Sequence, residues 1–419
     1  MPGLNARPHG RYNHGMNAIV MVIDRLHVGY LGAYGNTWIQ TPAIDRLAAE
    51  GFVFDQAFVE SPDLERFYAA CWLGRHAMSW PRSSDAASSL PALLATRSVP
   101  AILLTDDDRV AKAAEAASFH EVVRLDLPDG HGSAESVEQT RLARCFAAAV
   151  EFVECARGPY LLWCHFRGLS APWDAPRAFC LAYRDEGDPD PPEGTSVPNR
   201  VLPPDYDPDE LLGVSQAYAG QVSALDACVE VFRESLRGLP AGHETMAMLA
   251  SARGFPLGEH RRVGVCDECL YSELVHIPLI VWFSGGLAAA DRSQAIVHTS
   301  DLWRTAIDWF DIQPSSSSPG QTLLPVIRGD RETVRDRAVI SGRDRERAIV
   351  TPAWYLRAAA SAELYLRPDD RWEANDVADR CPQVVEGLLE VLSQDEQAIQ
   401  NSQISSPQPL DPLLSSGLE

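Results

Sequence analysis

The chain has little lysine and no long apolar run, and each shortage excludes a class of protein. Lys112 is its one lysine beside 35 arginines, and 58 acidic residues outnumber the 36 basic ones, which gives a formal charge of −22. An acidic chain of this kind repels nucleic acid phosphates and anionic lipid, so we expect neither as a partner. The apolar run from Ala18 to Ile23 is too short for a membrane span or a secretory signal. We therefore expect a cytoplasmic protein with no membrane partner.

Cysteine is also too sparse and scattered to indicate a disulfide framework. The nine cysteines are odd in number and lie mostly among apolar neighbours, as reduced core thiols do. Cys266 and Cys269 form a Cys-x-x-Cys motif, but no second pair and no histidine at zinc-finger spacing accompany it. The sequence therefore predicts neither a structural zinc site nor a redox pair.

Apolar content is sufficient for a large core, at 46% of 419 residues. Short β-branched runs alternate with helical patterns along the chain. Strands are predicted at 17–23, 101–104, 121–127, 159–165, 246–250 and 277–283, and helices at 41–51, 112–117, 141–157 and 211–236. This alternation predicts an α/β fold with a mostly parallel central sheet flanked by helices.

The domain organisation follows from changes in composition. We predict an N-terminal arm at 1–16 and an α/β domain at 17–330, within which the proline-rich stretch 184–209 is an exposed excursion. Four short strands between 337 and 366 and a helix from 382 to about 394 indicate a small C-terminal α+β subdomain at 331–396. The remainder, 397–419, is rich in Ser, Gln and Pro and is predicted to be a disordered tail.

Three polar segments follow predicted strands. Asp24 ends the first, His165 ends the fourth, and 251–254 follows the strand at 246–250. Ligands of parallel α/β sheets gather outside the carboxyl ends of the strands. We therefore expect one cleft to hold all three.

Several sequence blocks occur in an order that identifies a family. They include IDRL at 23–26, YLGAYG at 30–35, TPAIDRLAAEGFVFD at 41–55, APWDAP at 171–176, LGEH at 257–260 and EANDVA at 373–378. With these blocks, from about residue 17 to 395, the chain resembles the sulfatases of the alkaline-phosphatase superfamily. The resemblance implies the fold of that superfamily.

The family's chemistry implies a nucleophile that this chain lacks. Sulfatases use a Cys or Ser, matured to formylglycine, within a C/S-x-P-x-R motif. Aligned on Ser61-Pro62 and Gly74-Arg75, the nucleophile position falls on Leu64, the motif proline on Arg66 and the motif arginine on Tyr68. The resemblance therefore describes a degenerate member without the formylglycine motif.

The implied metal ligands and cationic clamps are also missing. The family's Asp-Asp pair reads Asp24-Arg25, and its later Asp-His-Gly block reads Ala252-Arg253-Gly254. One lysine cannot supply the family's two, and Ser170 stands where a histidine is expected. A cation beside two guanidiniums would be repelled, so we predict that the ancestral calcium or magnesium site is lost and that no cofactor is bound.

The remaining candidates each have two interpretations. Asp24 is either a residual metal ligand or, in our hypothesis, the ion-pair partner of Arg25 and Arg253. Arg66 adds positive charge that would suit an anion, or it is a solvated surface arginine. His165 and His260 are either acid–base groups or hydrogen-bonded framework residues.

One motif points the other way. The segment SVPNR at 196–200 matches S-x-P-x-R, but it lies in the proline-rich excursion and no helical pattern follows it. We interpret it as a chance match.

The sequence thus predicts a degenerate sulfatase-like pseudoenzyme that binds a protein partner or a small anionic ligand such as sulfate, phosphate or a sulfated sugar. Two alternatives remain open. One is an active sulfuric-ester or phosphoester hydrolase with an unusual site, and the other is a structural or oligomeric scaffold.

Overall fold

A computed structural model describes residues 15–79, 88–128, 132–194, 196–239, 244–314, 318–343, 345–401 and 408–416. All but the last two residues of the predicted N-terminal arm at 1–16 lie outside these ranges. None of the helices in the described ranges is both long and apolar enough to cross a membrane.

An eight-stranded sheet forms the centre of the fold, in the spatial order β10-β2-β9-β7-β1-β5-β3-β4. Its strands are β1 (Met16–Ile23), β2 (Phe52–Phe58), β3 (Ala101–Thr105), β4 (Glu121–Arg124), β5 (Tyr160–Phe166), β7 (Glu244–Ala250), β9 (His276–Phe283) and β10 (Asp291–His298). Only β9 runs antiparallel to its neighbours, β2 and β7. The predicted mostly parallel α/β sheet is confirmed.

Helices cover both faces of this sheet because its strands are apolar on both sides. Along β1, Ala18, Val20 and Val22 pack into one hydrophobic cluster, and Ile19, Met21 and Ile23 pack into the other. Helices α2 (Leu64–Leu73), α3 (Leu90–Ala95) and α9 (Ser300–Trp309) cover the first face. Helices α1 (Pro42–Glu50), α5 (Arg141–Cys155) and α7 (Pro208–Arg237) cover the second.

Shorter elements join these layers. They are the helices α4 (Asp108–Ala111), α6 (Arg177–Leu181), α8 (Ser272–Val275) and α10 (Leu324–Ile327) and the strands β6 (Asn199–Val201) and β8 (Arg262–Gly264), which pair with each other. The predicted proline-rich excursion therefore contributes a short strand, β6.

The C-terminal subdomain is an antiparallel four-stranded sheet with one long helix against it. Its strands are β11 (Ala338–Ser341), β12 (Arg347–Val350), β13 (Trp354–Ala358) and β14 (Ala362–Leu366), and its helix is α11 (Pro382–Gln400). Val384, Leu388 and Leu392 of α11 pack on the sheet. The predicted small α+β subdomain is present.

Part of the predicted disordered tail at 397–419 lies within the described ranges and is partly helical there, whereas 402–407 and 417–419 lie outside them. Helix α11 continues to Gln400, and a further helix, α12 (Pro412–Ser416), follows. Leu414 is buried in the subdomain core, and the indole of Trp354 donates to the Leu413 carbonyl at 2.9 Å. An apolar pair, Leu413-Leu414, inside a polar segment is enough to dock it.

Three other elements differ from the sequence prediction. The predicted helix at 112–117 is wrong, since α4 ends at Ala111 and extended backbone at Ala113 separates it from a 3-10 turn at Ala114–Ser118. Strands β2 and β10 were not predicted. The first half of β10 is polar and exposed because it lies at the sheet edge, so its pattern does not read as a buried strand.

Candidate functional site

The carboxyl ends of β1, β3, β5 and β7 meet at one edge of the sheet, because these strands run parallel to one another. Asp24 and Arg25 follow β1, His165 lies near the end of β5, and Arg253 follows β7. A cleft of about 620 Å³ opens there, which we call the strand-end cleft. Seven arginines and five aspartates are prominent among its lining residues: Arg25, Arg109, Arg124, Arg141, Arg167, Arg253, Arg343, Asp106, Asp107, Asp108, Asp126 and Asp267.

Four charged side chains form a neutral network at the floor of this cleft. Arg253 binds Asp24 with two parallel hydrogen bonds, from Nε at 3.0 Å and from a terminal nitrogen at 3.1 Å. Its other terminal nitrogen donates to Asp267 at 3.0 Å. Arg25 donates to the second oxygen of Asp267 at 2.5 Å. Two guanidiniums and two carboxylates thus neutralise one another, with Asp24 and Arg25 almost fully buried.

Charge attraction outweighs the cost of burial for Asp24 and Arg253. Burial alone would raise the pKa of Asp24, but the charges of Arg253 and Arg25 hold it well below its usual range. Burial alone would lower the pKa of Arg253, and Asp24 and Asp267 instead raise it. The pKa of Arg25 is lowered by burial and by the neighbouring Arg253, against the attraction of Asp267. Both Asp24 and Arg253 therefore stay ionised near neutral pH.

Arg25 reaches this network through an unusual backbone conformation. Its φ is 67°, in the left-handed region that non-glycine residues seldom occupy. The Tyr218 hydroxyl donates to the Arg25 carbonyl at 2.8 Å and accepts from the His27 amide at 2.9 Å. These buried bonds hold the turn that directs Arg25 toward Asp267.

Leu64 opens α2 near this network and has neither a thiol nor a hydroxyl. The carboxylate of Asp63 caps α2 by accepting from the amides of Glu65 and Arg66, at 3.0 and 3.3 Å. Arg66 extends away toward Ser341, at 3.5 Å, and does not line the strand-end cleft. The N-terminus of α2 therefore offers a carboxylate cap and a leucine.

Hydroxyl groups are scarce in the cleft. Among the described residues that line it, Ser170 carries the one hydroxyl and none carries a thiol. The Ser170 hydroxyl donates to the Arg167 carbonyl at 2.8 Å, with no basic side chain bonded to it. Ala252 is fully buried and brings no polar group. An activated nucleophile of the kind that pairs a hydroxyl with a base is not formed by these residues.

His165 and Tyr68 form a buried pair behind the network. The Tyr68 hydroxyl is hydrogen-bonded to Nδ1 of His165, and Nε2 of His165 lies 3.9 Å from an Asp107 oxygen. Burial lowers the pKa of His165 and raises that of Tyr68. Both groups are therefore neutral near pH 7, and neither is exposed to a substrate.

His260 lies apart from these residues and does not line the strand-end cleft. Its Nδ1 is 2.9 Å from Glu273, its Nε2 is 3.0 Å from the Glu373 carbonyl, and its ring stacks on Tyr271. Burial alone would lower its pKa, and the bond to Glu273 raises it. The structure therefore separates His260 from the other candidate residues, and it does not bring the segment 196–200 to the cleft either.

The sequence interpretation missed the acids that pair with the arginines. Asp267, in the loop after β8, bridges Arg25 and Arg253. Asp106, after β3, accepts from Arg141 at 2.6 Å. The available signal was electrostatic: two buried arginines beside Asp24 need a second carboxylate.

One buried group of metal-ligand type lies elsewhere, at Glu60, His76 and His298. Nε2 of His298 accepts from the Val339 amide at 3.1 Å, and the Arg335 guanidinium is 2.9 Å from its Nδ1. The lone pair of Nε2 is therefore used by the Val339 amide, and a cation at Nδ1 would be repelled by the Arg335 guanidinium. These residues are a polar framework and do not fit a cation.

Comparison with known proteins finds similarity to sulfatases. The sulfatase family model matches residues 115–312. An N-acetylglucosamine-6-O-sulfatase of Bacteroides thetaiotaomicron is 28% identical over 120 residues. Over these residues the chain is similar to the sulfatases. The aligned part spans 28% of this chain and 21% of that sulfatase.

Solved structures share this sulfatase fold over nearly the whole chain. A phosphonate monoester hydrolase of Agrobacterium radiobacter superposes with a TM-score of 0.72 at 14% identity, covering 94% of this chain and 97% of that one. A protein solved with its substrate, D-glucosamine-2-N,6-O-disulfate, superposes with a TM-score of 0.74 at 16% identity, covering 94% and 99%. At these identities the likeness establishes the fold alone.

The divalent cation that the family implies does not fit the residues found here. Both oxygens of Asp24 are occupied by Arg253, and the positions of the other ligands carry Arg25, Ala252 and Arg253. A hard cation prefers six or more oxygen ligands and is repelled by two guanidiniums.

Proposed function

We propose that this sulfatase-family chain is a pseudoenzyme that binds a small anionic ligand in the strand-end cleft without hydrolysing it. The observation that carries the proposal is the bidentate pair between Arg253 and Asp24. This pair supports the proposal because a guanidinium binds both oxygens of Asp24, the residue that the family resemblance implies as a metal ligand.

The cleft retains the charge to attract an anion. Its seven arginines exceed its five aspartates, and they still exceed the acids by one when the buried Asp24 is counted. Arg343 is exposed at the cleft and forms no ion pair within the described ranges, and Arg109 is 64% exposed although it pairs with Asp107. Guanidiniums bind sulfate, phosphate and carboxylate oxygens with paired hydrogen bonds. We propose that Arg343 and Arg109 receive the ligand.

Turnover and binding are tested on the same purified chain. Aryl sulfate and aryl phosphate are offered with and without calcium, magnesium or manganese, and we expect no hydrolysis. Hydrolysis that is lost on chelation or in a folded Arg253→Ala variant, but kept in Arg328→Ala, would establish an active enzyme instead. Arg328 is a matched control because it is exposed and lies outside the cleft.

Binding is measured by calorimetry with sulfate, phosphate and glucosamine-6-sulfate. We expect Arg343→Ala and Arg109→Ala to weaken binding, and Arg328→Ala to leave it unchanged. No heat with any of the three anions would contradict ligand binding and favour the scaffold alternative. The cytoplasmic location and the absence of a cofactor stay predictions.

A further inference from the structure

A second cleft lies between the sheet edge and the C-terminal subdomain, and we call it the subdomain cleft. Its volume is about 420 Å³. One wall is formed by residues after β1 and by β2, including His27 and Asp55, and the other by the loop after β14, including Arg367, Arg371 and Trp372. None of its lining residues belongs to the strand-end cleft.

Two arginines in this cleft have no carboxylate partner in the part of the chain that the structure describes. Arg367 lies over the Phe58 ring, with its guanidinium carbon 5.3 Å from the ring centre, and it donates to Gln56. Arg371 lies over the Trp372 ring at 4.6 Å. Neither forms an ion pair with any described residue, whereas most arginines of the strand-end cleft do. Arg367 is half-buried, and half-buried guanidiniums are usually paired, whereas Arg371 is exposed at the rim of the cleft. Both guanidiniums are therefore available to an anion.

Two further donors beside them lack acceptors. A terminal nitrogen of Arg367 and Nε2 of His27 are buried and have no hydrogen-bond partner among the described residues. The carboxylate of Glu259 lies 3.8 Å from Nε2 of His27, which is too far for a hydrogen bond. Nδ1 of His27 accepts from the Gly29 amide at 2.8 Å, so the ring proton of the neutral histidine is on Nε2. His27 is only 3% exposed, and a buried donor without an acceptor is costly. An anionic oxygen between these side chains would supply the acceptor.

Most acids of the cleft bind groups other than Arg367, Arg371 and His27. Asp55 pairs with Arg292, and Glu273 pairs with His260 at 2.9 Å. The Asp370 carboxylate accepts from the amides of residues 374 and 375 at 3.0 and 2.9 Å. Glu373 is the remaining acid, and its carboxylate accepts from the Ser272 amide at 3.0 Å.

We propose that the subdomain cleft is a second ligand site, which takes a small molecule through a carboxylate, phosphate or sulfate group bound by Arg367, Arg371 and His27. Trp372, with 53% of its surface exposed, offers a ring face to the rest of the ligand. This site is separate from the strand-end cleft and does not depend on the pseudoenzyme proposal.

Glu373 makes binding at this site depend on pH. Its backbone is held in the left-handed region, with φ of 51°, and its side chain is 5% exposed. Burial and the neighbouring Glu273 raise the pKa of Glu373 to about 7, against the Ser272 hydrogen bond and the charge of His260. The other charged or titratable groups that line the cleft are His27, Tyr34, Asp55, His276, Arg292, Tyr355, Arg367, Asp370 and Arg371, and Glu259 faces His27 from behind it. An anion is bound more readily when Glu373 is uncharged, so affinity should rise as the pH falls from 8 to 6.

The site is tested with phosphate, sulfate and benzoate as probes, titrated by calorimetry into the full chain. Arg371 is exposed, so Arg371→Gln should fold normally, and we expect it to weaken the tightest probe roughly tenfold or more through loss of a charged hydrogen bond. Arg371→Lys should restore part of the affinity. Arg328→Ala, which is exposed and lies outside both clefts, should leave this binding unchanged.

The probes and variants separate the outcomes. Phosphate, sulfate or benzoate binding tightest identifies the anionic group, and loss of the pH dependence in Glu373→Gln supports the assigned geometry. Binding that falls in Arg343→Ala but not in Arg371→Gln would place the anion in the strand-end cleft alone and overturn the second site. No probe bound by the chain, or equal binding by wild type and Arg371→Gln, would also overturn it.

Discussion

The paired guanidinium of Arg253 is the residue-scale feature with the largest energetic consequence. Its two bonds to Asp24 are buried, and both partners are almost inaccessible to water. Replacing a buried ion pair by apolar groups is often tolerated, but removing one partner leaves an uncompensated charge. The two kinds of substitution at this pair should therefore differ sharply.

We predict that Arg253→Met lowers the free energy of unfolding by about 3–5 kcal/mol at pH 7, as measured by urea denaturation. The double variant Asp24→Asn/Arg253→Met should lose less of this free energy of unfolding, because it leaves no unpaired charge at Asp24. In wild type, the lowered pKa of Asp24 keeps its stabilising contribution at every pH above its ordinary value of 3.8. In Arg253→Met burial raises that pKa, so stability should increase as the pH falls. Equal losses in the single and double variants would contradict the ion-pair account.

Only some contacts between individual residues could be predicted from the sequence. Asp24, Arg25 and Arg253 were expected to meet because each follows a predicted strand, and the structure brings them together. Asp267 was not expected, since it lies in a loop 242 positions from Arg25 and no strand pattern marks it. His260 was grouped with them because it belongs to a family block, but its loop turns it toward the C-terminal subdomain.

At the scale of elements, one buried carboxylate links α7 to the first turn of α1. Asp226, in the middle of α7, accepts hydrogen bonds from the amides of Ala43 and Ile44, in the first turn of α1, at 3.1 and 2.8 Å. An acid at a helix N-terminus is favourable. Burial nevertheless raises the pKa of Asp226 from 3.8 to about 6.

This pKa predicts a specific pH dependence of stability. Because the native state binds the proton more tightly than the unfolded chain does, the contribution of Asp226 decreases as the pH rises from about 4 to about 6. A shift of this size corresponds to on the order of 3 kcal/mol. In Asp226→Asn, melting temperatures between these pH values should decline less than in wild type. Parallel curves for the two proteins would show that Asp226 does not titrate in this interval.

The elements that the sequence predicted best are those with an unambiguous apolar period. Strands β1, β5 and β9 are apolar throughout, and α5 and α7 repeat apolar residues at helical spacing, so their positions were predicted within a few residues. The strand β10 begins with polar residues at the sheet edge, and α12 has only five residues. Both depend on tertiary contacts, which local sequence does not report.

At the scale of the whole molecule, the excess of acidic residues is the dominant electrostatic feature. A net charge of −22 repels itself in the compact state. The buried pairs among Asp24, Arg25, Arg253 and Asp267 are screened little by salt, whereas exposed charges are screened strongly.

We predict that the melting temperature rises when sodium chloride is increased from about 10 mM to about 150 mM, because the Debye length falls to about 8 Å and surface repulsion weakens. Scanning calorimetry at constant pH measures the change, and a neutral osmolyte of equal osmolality serves as the control. A decrease with salt would mean that attractive surface pairs outweigh the net charge.

The carboxylate of Asp267, which both Arg25 and Arg253 bind, also limits the substitutions that could create a cation site here. Substituting either arginine alone leaves the buried carboxylates of Asp24 and Asp267 with one guanidinium between them, so one negative charge is no longer compensated. Both guanidiniums would have to be replaced together, with new oxygen ligands supplied in the same step. Single substitutions could therefore create a cation site at Asp24 only through a destabilised intermediate.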